Sequence, residues 1–141
     1  MTFQQFHLDP RLQAGIKAAG YVTPTPIQQQ AIPGILAGRD LLGLAPTGTG
    51  KTAAFMLPIL HHLLKQQPRR ENGRAPVRVL IVAPTRELAE QIRQSAVALS
   101  QKTGLRSIAV YGGVGKKPQI DALRRGADIV VACPGRLLDL A

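Results

Sequence analysis

The sequence predicts an α/β fold: a parallel β-sheet with helices on both faces. Strand and helix patterns alternate along most of its 141 residues. The strand patterns, such as Val79-Leu80-Ile81-Val82-Ala83, are near-continuous apolar runs, the signature of strands buried on both faces. A glycine-rich loop sits between an apolar run and a helical pattern, and in such sheets ligands bind beyond the carboxyl ends of the strands.

Each element has its own signal. Asp9-Pro10 opens a first helix, because Asp can cap it and Pro suits the first helical turn; Leu12, Ile16 and Ala19 share one face, and Gly20 ends it. Thr25-Pro26 repeats the opening for a helix to about Ala37, closed by Gly38. Residues 40–45 read as a buried strand. A helix over 51–65 follows, with a kink expected at Pro58. Residues 66–76 are polar and basic, an exposed loop. A second strand covers 77–83, and Thr85 caps a helix that Gly104 ends. A third strand over 106–111 closes at Gly112-Gly113, a short helix covers 118–125, and a fourth strand covers 128–133. Pro134-Gly135-Arg136 starts a last helix.

Composition narrows the function classes. The single cysteine, Cys133, excludes an internal disulfide framework and fits a reducing, cytoplasmic setting. The N-terminus has the basic and apolar regions of no secretory signal, and the longest apolar runs are too short to span a bilayer. Adjacent His61 and His62 point in different directions on a helix and read as partly exposed residues, not a metal pair. A net charge of +10, spread along the chain, suits a polyanionic partner or a solvated basic face.

The chemistry concentrates in Ala45-Pro46-Thr47-Gly48-Thr49-Gly50-Lys51-Thr52. The general pattern is G-x-x-x-x-G-K-[ST], and only the first position, Ala45, departs from it. Gly48 and Gly50 allow the backbone to curl and turn its N–H groups inward onto phosphate oxygens, at the positive end of the next helix. Lys51 would reach the β- and γ-phosphates, and the Thr52 hydroxyl would ligate Mg²⁺. The loop is thus built to hold a nucleoside triphosphate.

With these residues in view, the chain resembles the DEAD-box RNA helicases. Residues 20–28 (GYVTPTPIQ) look like that family's Q motif, with Phe3 placed as its isolated upstream aromatic. Residues 45–52 match motif I, which carries Ala first; 84–88 (PTREL) resemble motif Ia; Gly112-Gly113 match the glycine doublet; 134–136 match the end of motif Ib. The wording around them is most similar to bacterial helicases of the RhlE type. The resemblance implies a RecA-like P-loop NTPase core, ATP and Mg²⁺ as cofactors, and RNA as partner. It reads 1–141 as a partial helicase ATP-binding domain, with a Q motif region at 1–28.

The resemblance also implies site residues. Phe3, Tyr21, Thr23, Pro26 and Gln28 would join 45–52 around the nucleotide. The Gln28 amide matches the donor and acceptor on one edge of adenine, which would favour ATP over GTP. For Phe3, purine stacking and core packing stand equal, while Phe6 suits the core. Pro84, Thr85, Arg86, Gly112, Gly113, Gly135 and Arg136 would contact RNA phosphate and sugar, which positions a strand without reading its sequence. Thr85 also suits a plain cap, and Gly112-Gly113 a plain turn. Cys133 stands where motif Ib has Thr, and its thiol is a poorer donor than a hydroxyl. Pro46 stands where Gln is usual, which would alter the loop's rigidity.

No Asp-Glu-Ala-Asp sequence occurs before Ala141. The expectation is nucleotide binding with inefficient turnover, from carboxylates that lie elsewhere. Exposed strand edges would then favour dimerisation or swapping. A non-catalytic module binding adenine nucleotide or RNA is a second reading. A DNA helicase or nucleotide kinase is a third, disfavoured by the Q motif followed by PTREL.

Overall fold

A computed structural model describes residues 2–48, 50–66 and 76–140. The chain divides into two compact units, Met1–Gln66 with Ala98–Gly104, and Gln67–Val97 with Leu105–Ala141. Thr49 and most of the basic 66–76 segment lie outside the described residues.

The first unit is helical. A 3-10 turn at Phe3–Phe6 precedes α1 (Pro10–Ala18), α2 (Pro26–Leu36) and α3 (Lys51–Lys65). The Asp9 carboxylate accepts from the Arg11 N–H at 2.9 Å, capping α1. The Arg11 guanidinium on the same carboxylate holds it below the usual range. Thr25 caps α2, and the Gln28 side chain reaches back to the Thr25 N–H, so two end donors are satisfied reciprocally. Gly20 and Gly38 follow α1 and α2 with φ of +84° and +82°, the left-handed ending expected of them. Pro58 lies buried inside α3 without ending it.

Leu12 and Ile16 of α1, Ala31 and Ile32 of α2, and Met56, Leu57 and Leu60 of α3 form the core of this unit. Burying each large aliphatic side chain contributes roughly 1.5–3 kcal/mol. α1 also approaches backbone: a Cβ at Gly15 would lie 2.2 Å from the Leu99 carbonyl oxygen.

Both histidines of α3 tie this unit together. His61 Nδ1 accepts the Asp9 N–H at 3.0 Å, and His62 Nε2 donates to the Ile35 carbonyl at 3.1 Å. His61 is only 8 % exposed, so the expectation of a partly exposed residue is corrected: it is an anchor between the start of α1 and α3.

The second unit holds a parallel sheet of β1 (Val79–Val82), β2 (Ser107–Val110) and β3 (Ile129–Ala132), in the order β1-β3-β2. Val79 and Ser107 both pair with Ile129, and Val82 and Val110 with Ala132. Between the strands run α4 (Arg86–Leu99) and α5 (Lys116–Arg125), and α6 (Pro134–Leu140) follows β3. On one face, Ile108, Val110, Val130 and Ala132 pack with Leu123 of α5 and with Leu137 and Leu140 of α6. On the other face of β3, Ile129 and Val131 are fully buried, so the central strand is covered on both sides. That is why it reads as an unbroken apolar run.

Asp128 pins the starts of all three strands. Its carboxylate accepts from Arg78 Nη2 and from the Arg106 N–H, each at 2.9 Å, and its carbonyl accepts from the Arg78 and Val79 N–H groups.

Two expectations are corrected. Residues 40–45 form no strand: Leu42 and Leu44 are 85 % and 83 % exposed, and the segment pairs with none of the three strands. An apolar run becomes a strand only by hydrogen-bonding to a neighbour, a condition that composition does not report. The helix after Thr85 ends at Leu99 rather than at Gly104, and a turn at residues 100–103, with the Thr103 N–H bonded to the Ser100 carbonyl, lies between.

Candidate functional site

In the first unit, the phosphate-loop residues sit against the cap of α2. The run 41–46 is irregular, Gly48 and Gly50 both adopt φ of +85°, and α3 begins at Lys51. Gly50 precedes α3 in the left-handed region and offers no side-chain cap, so the first N–H groups of α3 have none from that position. Lys51 is exposed and Thr52 half-buried.

Gln28 is buried and hydrogen-bonded at both ends of its amide. Its Oε1 accepts the Thr25 N–H at 2.9 Å, and its Nε2 donates to the Gly50 carbonyl at 3.2 Å. A Cβ on Gly50 would lie 2.5 Å from Gln28 Nε2 and 3.1 Å from Thr25 Oγ1. Glycine is therefore required there twice, by its φ and by this close approach. The Gln28–Gly50 bond joins two segments that lie 22 residues apart in the chain.

The other residues assigned to the nucleotide divide. Phe3 is buried, with its ring 6.1 Å from Phe6 and 6.2 Å from Tyr21, and Phe6 is the less buried of the two phenylalanines. Tyr21 keeps 41 % of its surface exposed. Pro26 opens α2, and Thr23, Pro46 and Thr47 are exposed, with Ala45 half-buried. Thr49 is outside the described residues.

In the second unit, the remaining residues gather at the carboxyl ends of the strands. Thr85 follows β1 and caps α4, its Oγ1 accepting the Leu88 N–H at 3.2 Å, and Pro84 beside it is exposed. The Arg86 guanidinium stacks over the Tyr111 ring, 5.5 Å from its centroid, an attraction between cation and ring face. Gly113 has φ of +85°, and a Cβ there would lie 2.9 Å from Arg86 Nη1. Gly112 and Gly135 are exposed, with nothing within 4 Å of a Cβ. Arg136 Nη2 donates to the Val114 carbonyl at 3.0 Å, folding its guanidinium onto the glycine loop. Cys133 is a half-buried free thiol whose carbonyl accepts the Leu137 N–H at the start of α6.

Sequence reasoning did not single out Gln119, Tyr111 or Glu90. Gln119 is 8 % exposed and links the Tyr111 carbonyl (2.9 Å) to Arg136 Nη1 (3.3 Å). The Tyr111 hydroxyl donates to Glu90 Oε2 at 3.4 Å, and the Arg93 guanidinium holds the Glu90 carboxyl below the usual range. A buried glutamine on a short helix carries no local signal, because its partners lie on other elements.

Both groups of residues are of kinds that suit phosphate. The first unit presents a glycine-bent loop, a lysine and a helix start; the second presents two guanidiniums, a capped helix start and backbone bared by glycine. Among the described residues no group of three or more His, Cys, Asp or Glu could hold a metal ion.

Comparison with known proteins agrees with this geometry. The DEAD/DEAH box helicase family profile matches residues 25–141. Human probable ATP-dependent RNA helicase DDX46 is 48% identical over 139 residues, covering 99% of this chain and 13% of that protein. DEAD-box ATP-dependent RNA helicase 30 of Oryza sativa subsp. japonica is 49% identical over 138 residues, covering 98% of this chain and 20% of its own. The structure of the RNA helicase Prp28 from Chaetomium thermophilum bound to ADP superposes with a TM-score of 0.87 at 42% identity, over 98% of this chain and 33% of that one. This chain thus spans a third or less of the length of these relatives. A profile match over most of the chain, with the fold shared, shows that it belongs to the DEAD/DEAH box helicase family.

Proposed function

We propose that this chain binds an adenine nucleotide through residues 45–52, binds RNA backbone through Arg86, Gly112, Gly113 and Arg136, and serves ATP-dependent RNA unwinding or remodelling in the whole protein. The observation that carries the nucleotide half is the Gln28–Gly50 hydrogen bond, which ties the adenine-selecting side chain to the phosphate loop. Gln28 uses one Nε2 hydrogen and one Oε1 lone pair on Thr25 and Gly50. One of each remains for the adenine edge. Lys51 would neutralise phosphate charge, and the Thr52 hydroxyl would help to hold a Mg²⁺ ion, which would supply further charge neutralisation.

Titration with fluorescent ATP and GTP analogues tests this reading. ATP binds more tightly than GTP, and Lys51→Ala weakens ATP on the order of tenfold or more, the loss of about 1.4 kcal/mol. Equal affinity for the two analogues removes the role given to Gln28. No binding of either removes the nucleotide reading altogether.

For RNA, anisotropy of a labelled oligouridylate should fall steeply with salt, because backbone binding releases counterions. An affinity indifferent to salt counts against phosphate contacts.

The outer strand β1 also leaves Leu80 and Val82 more than half exposed, at 52 % and 55 %. We place self-association through this edge within the same proposal. Sedimentation of the chain as a monomer across its soluble range refutes it.

A further inference from the structure

We infer that Gln119 is a positioning residue that presets the RNA-facing guanidinium of Arg136; this rests on the RNA reading proposed above. Three observations lead there. First, Gln119 is a polar side chain buried to 8 % exposure, and both ends of its amide are used: Nε2 donates to the Tyr111 carbonyl at 2.9 Å, and Oε1 accepts from Arg136 Nη1 at 3.3 Å. A buried amide so placed resists rotation, because turning it strands a donor and an acceptor without water.

Second, Arg136 is held at two points, since its Nη2 also donates to the Val114 carbonyl at 3.0 Å. A guanidinium carries five N–H donors in a rigid fork. Two of them are taken by Gln119 and Val114, and the others stay available to an anion. An arginine fixed in this way has already lost the side-chain freedom that phosphate binding would otherwise have to freeze.

Third, the other end of Gln119 meets the residue that carries the second guanidinium. Tyr111 provides the ring beneath Arg86, and its hydroxyl donates to Glu90. Gln119 therefore joins the backbone under one arginine to the side chain of the other. Gly113 and Val114 lie between, in the loop that both arginines border. Both cations thus border one stretch of backbone.

The prediction is a coupling. Gln119 bears no charge and lies too deep to meet RNA, so its effect on RNA must pass through Arg136. The test is oligouridylate binding to the protein, its Gln119→Met and Arg136→Ala variants, and the double variant. Met conserves length and volume while removing both hydrogen bonds, and thermal unfolding of each variant identifies any that has lost its fold. Arg136→Ala weakens binding on the order of tenfold, and Gln119→Met about threefold in the native background but not in the Arg136→Ala background. Binding of the fluorescent ATP analogue stays unchanged in Gln119→Met.

Equal losses from Gln119→Met in both backgrounds overturn the inference, as does no loss from Gln119→Met where Arg136→Ala weakens binding. If Arg136→Ala itself has no effect, the RNA role of Arg136 fails and the inference falls with it, so the two failures are told apart. Should Gln119→Met not fold, Gln119→Glu replaces it in the same cycle. It keeps an acceptor for Arg136 but pairs its charge, and it must weaken RNA binding only while Arg136 is present.

Discussion

The Gln28 side chain donates to the Gly50 carbonyl at 3.2 Å, so the residue that caps α2 also holds the residue that opens α3. The same contact leaves no room for a side chain at Gly50.

Gly50→Ala should therefore cost more than Gly48→Ala. Both positions have φ of +85°, which costs an alanine about 1–2 kcal/mol. Only at Gly50 does the new Cβ also meet Gln28 and Thr25. Chemical denaturation of the two variants measures the difference, and matching losses would show that Gln28 yields freely.

Acid should loosen the first unit through His61. Burial, first, and then the nearby charges of Lys65 and His62 hold its pKa below the usual 6.5, outweighing the Asp9 carboxylate that raises it. Nδ1 must be unprotonated to accept the Asp9 N–H. The folded state then binds fewer protons than the unfolded chain, so this contribution is complete above 6.5 and is lost as pH falls through the lowered value. His61→Gln should flatten the drop in melting temperature between about pH 7 and pH 5. An identical pH profile in the variant would exclude His61 as its source.

Gly15→Ala and Gly34→Ala should have opposite signs. Alanine favours a helix over glycine by about 1 kcal/mol. At Gly34 the nearest atom to a new Cβ is Leu41 Cδ1 at 3.9 Å, an ordinary contact, and the variant should be more stable. At Gly15 the Leu99 carbonyl lies 2.2 Å away, and the variant should lose about 1–3 kcal/mol or more. Thermal unfolding decides both, and a stabilised Gly15→Ala would mean that α1 shifts at little cost.

Asp128→Ala should destabilise the sheet by about 3 kcal/mol, the low end for breaking a buried ion pair, since both partners keep some solvent access. The carboxylate also serves the Arg106 N–H. Urea unfolding followed by circular dichroism checks it, and a loss below about 1 kcal/mol would place the pair among surface salt bridges.

Much of this was legible in the sequence because it is local. Asp9, Thr25 and Thr85 announce their helices through bonds spanning two or three residues, and Gly48, Gly50 and Gly113 adopt the positive φ that their loops call for. The apolar run of β3 follows from its burial at the centre of a parallel sheet. The phosphate loop and the PTREL segment needed only their order to suggest a helicase.

What stayed hidden depends on partners distant in the chain. Residues 40–45 have a strand's composition, yet only a neighbouring edge could make them one, and none of the three strands pairs with them. His61 read as ordinary until the Asp9 N–H was found on its ring. Gln119 has its partners, Tyr111 and Arg136, on other elements. The sequence by itself determined the phosphate loop, the helix caps and the family, because each is written in neighbouring residues. Only the tertiary structure decided which side chains hold the loop and the arginines in place, because a hydrogen bond across tens of residues leaves no local mark on either partner.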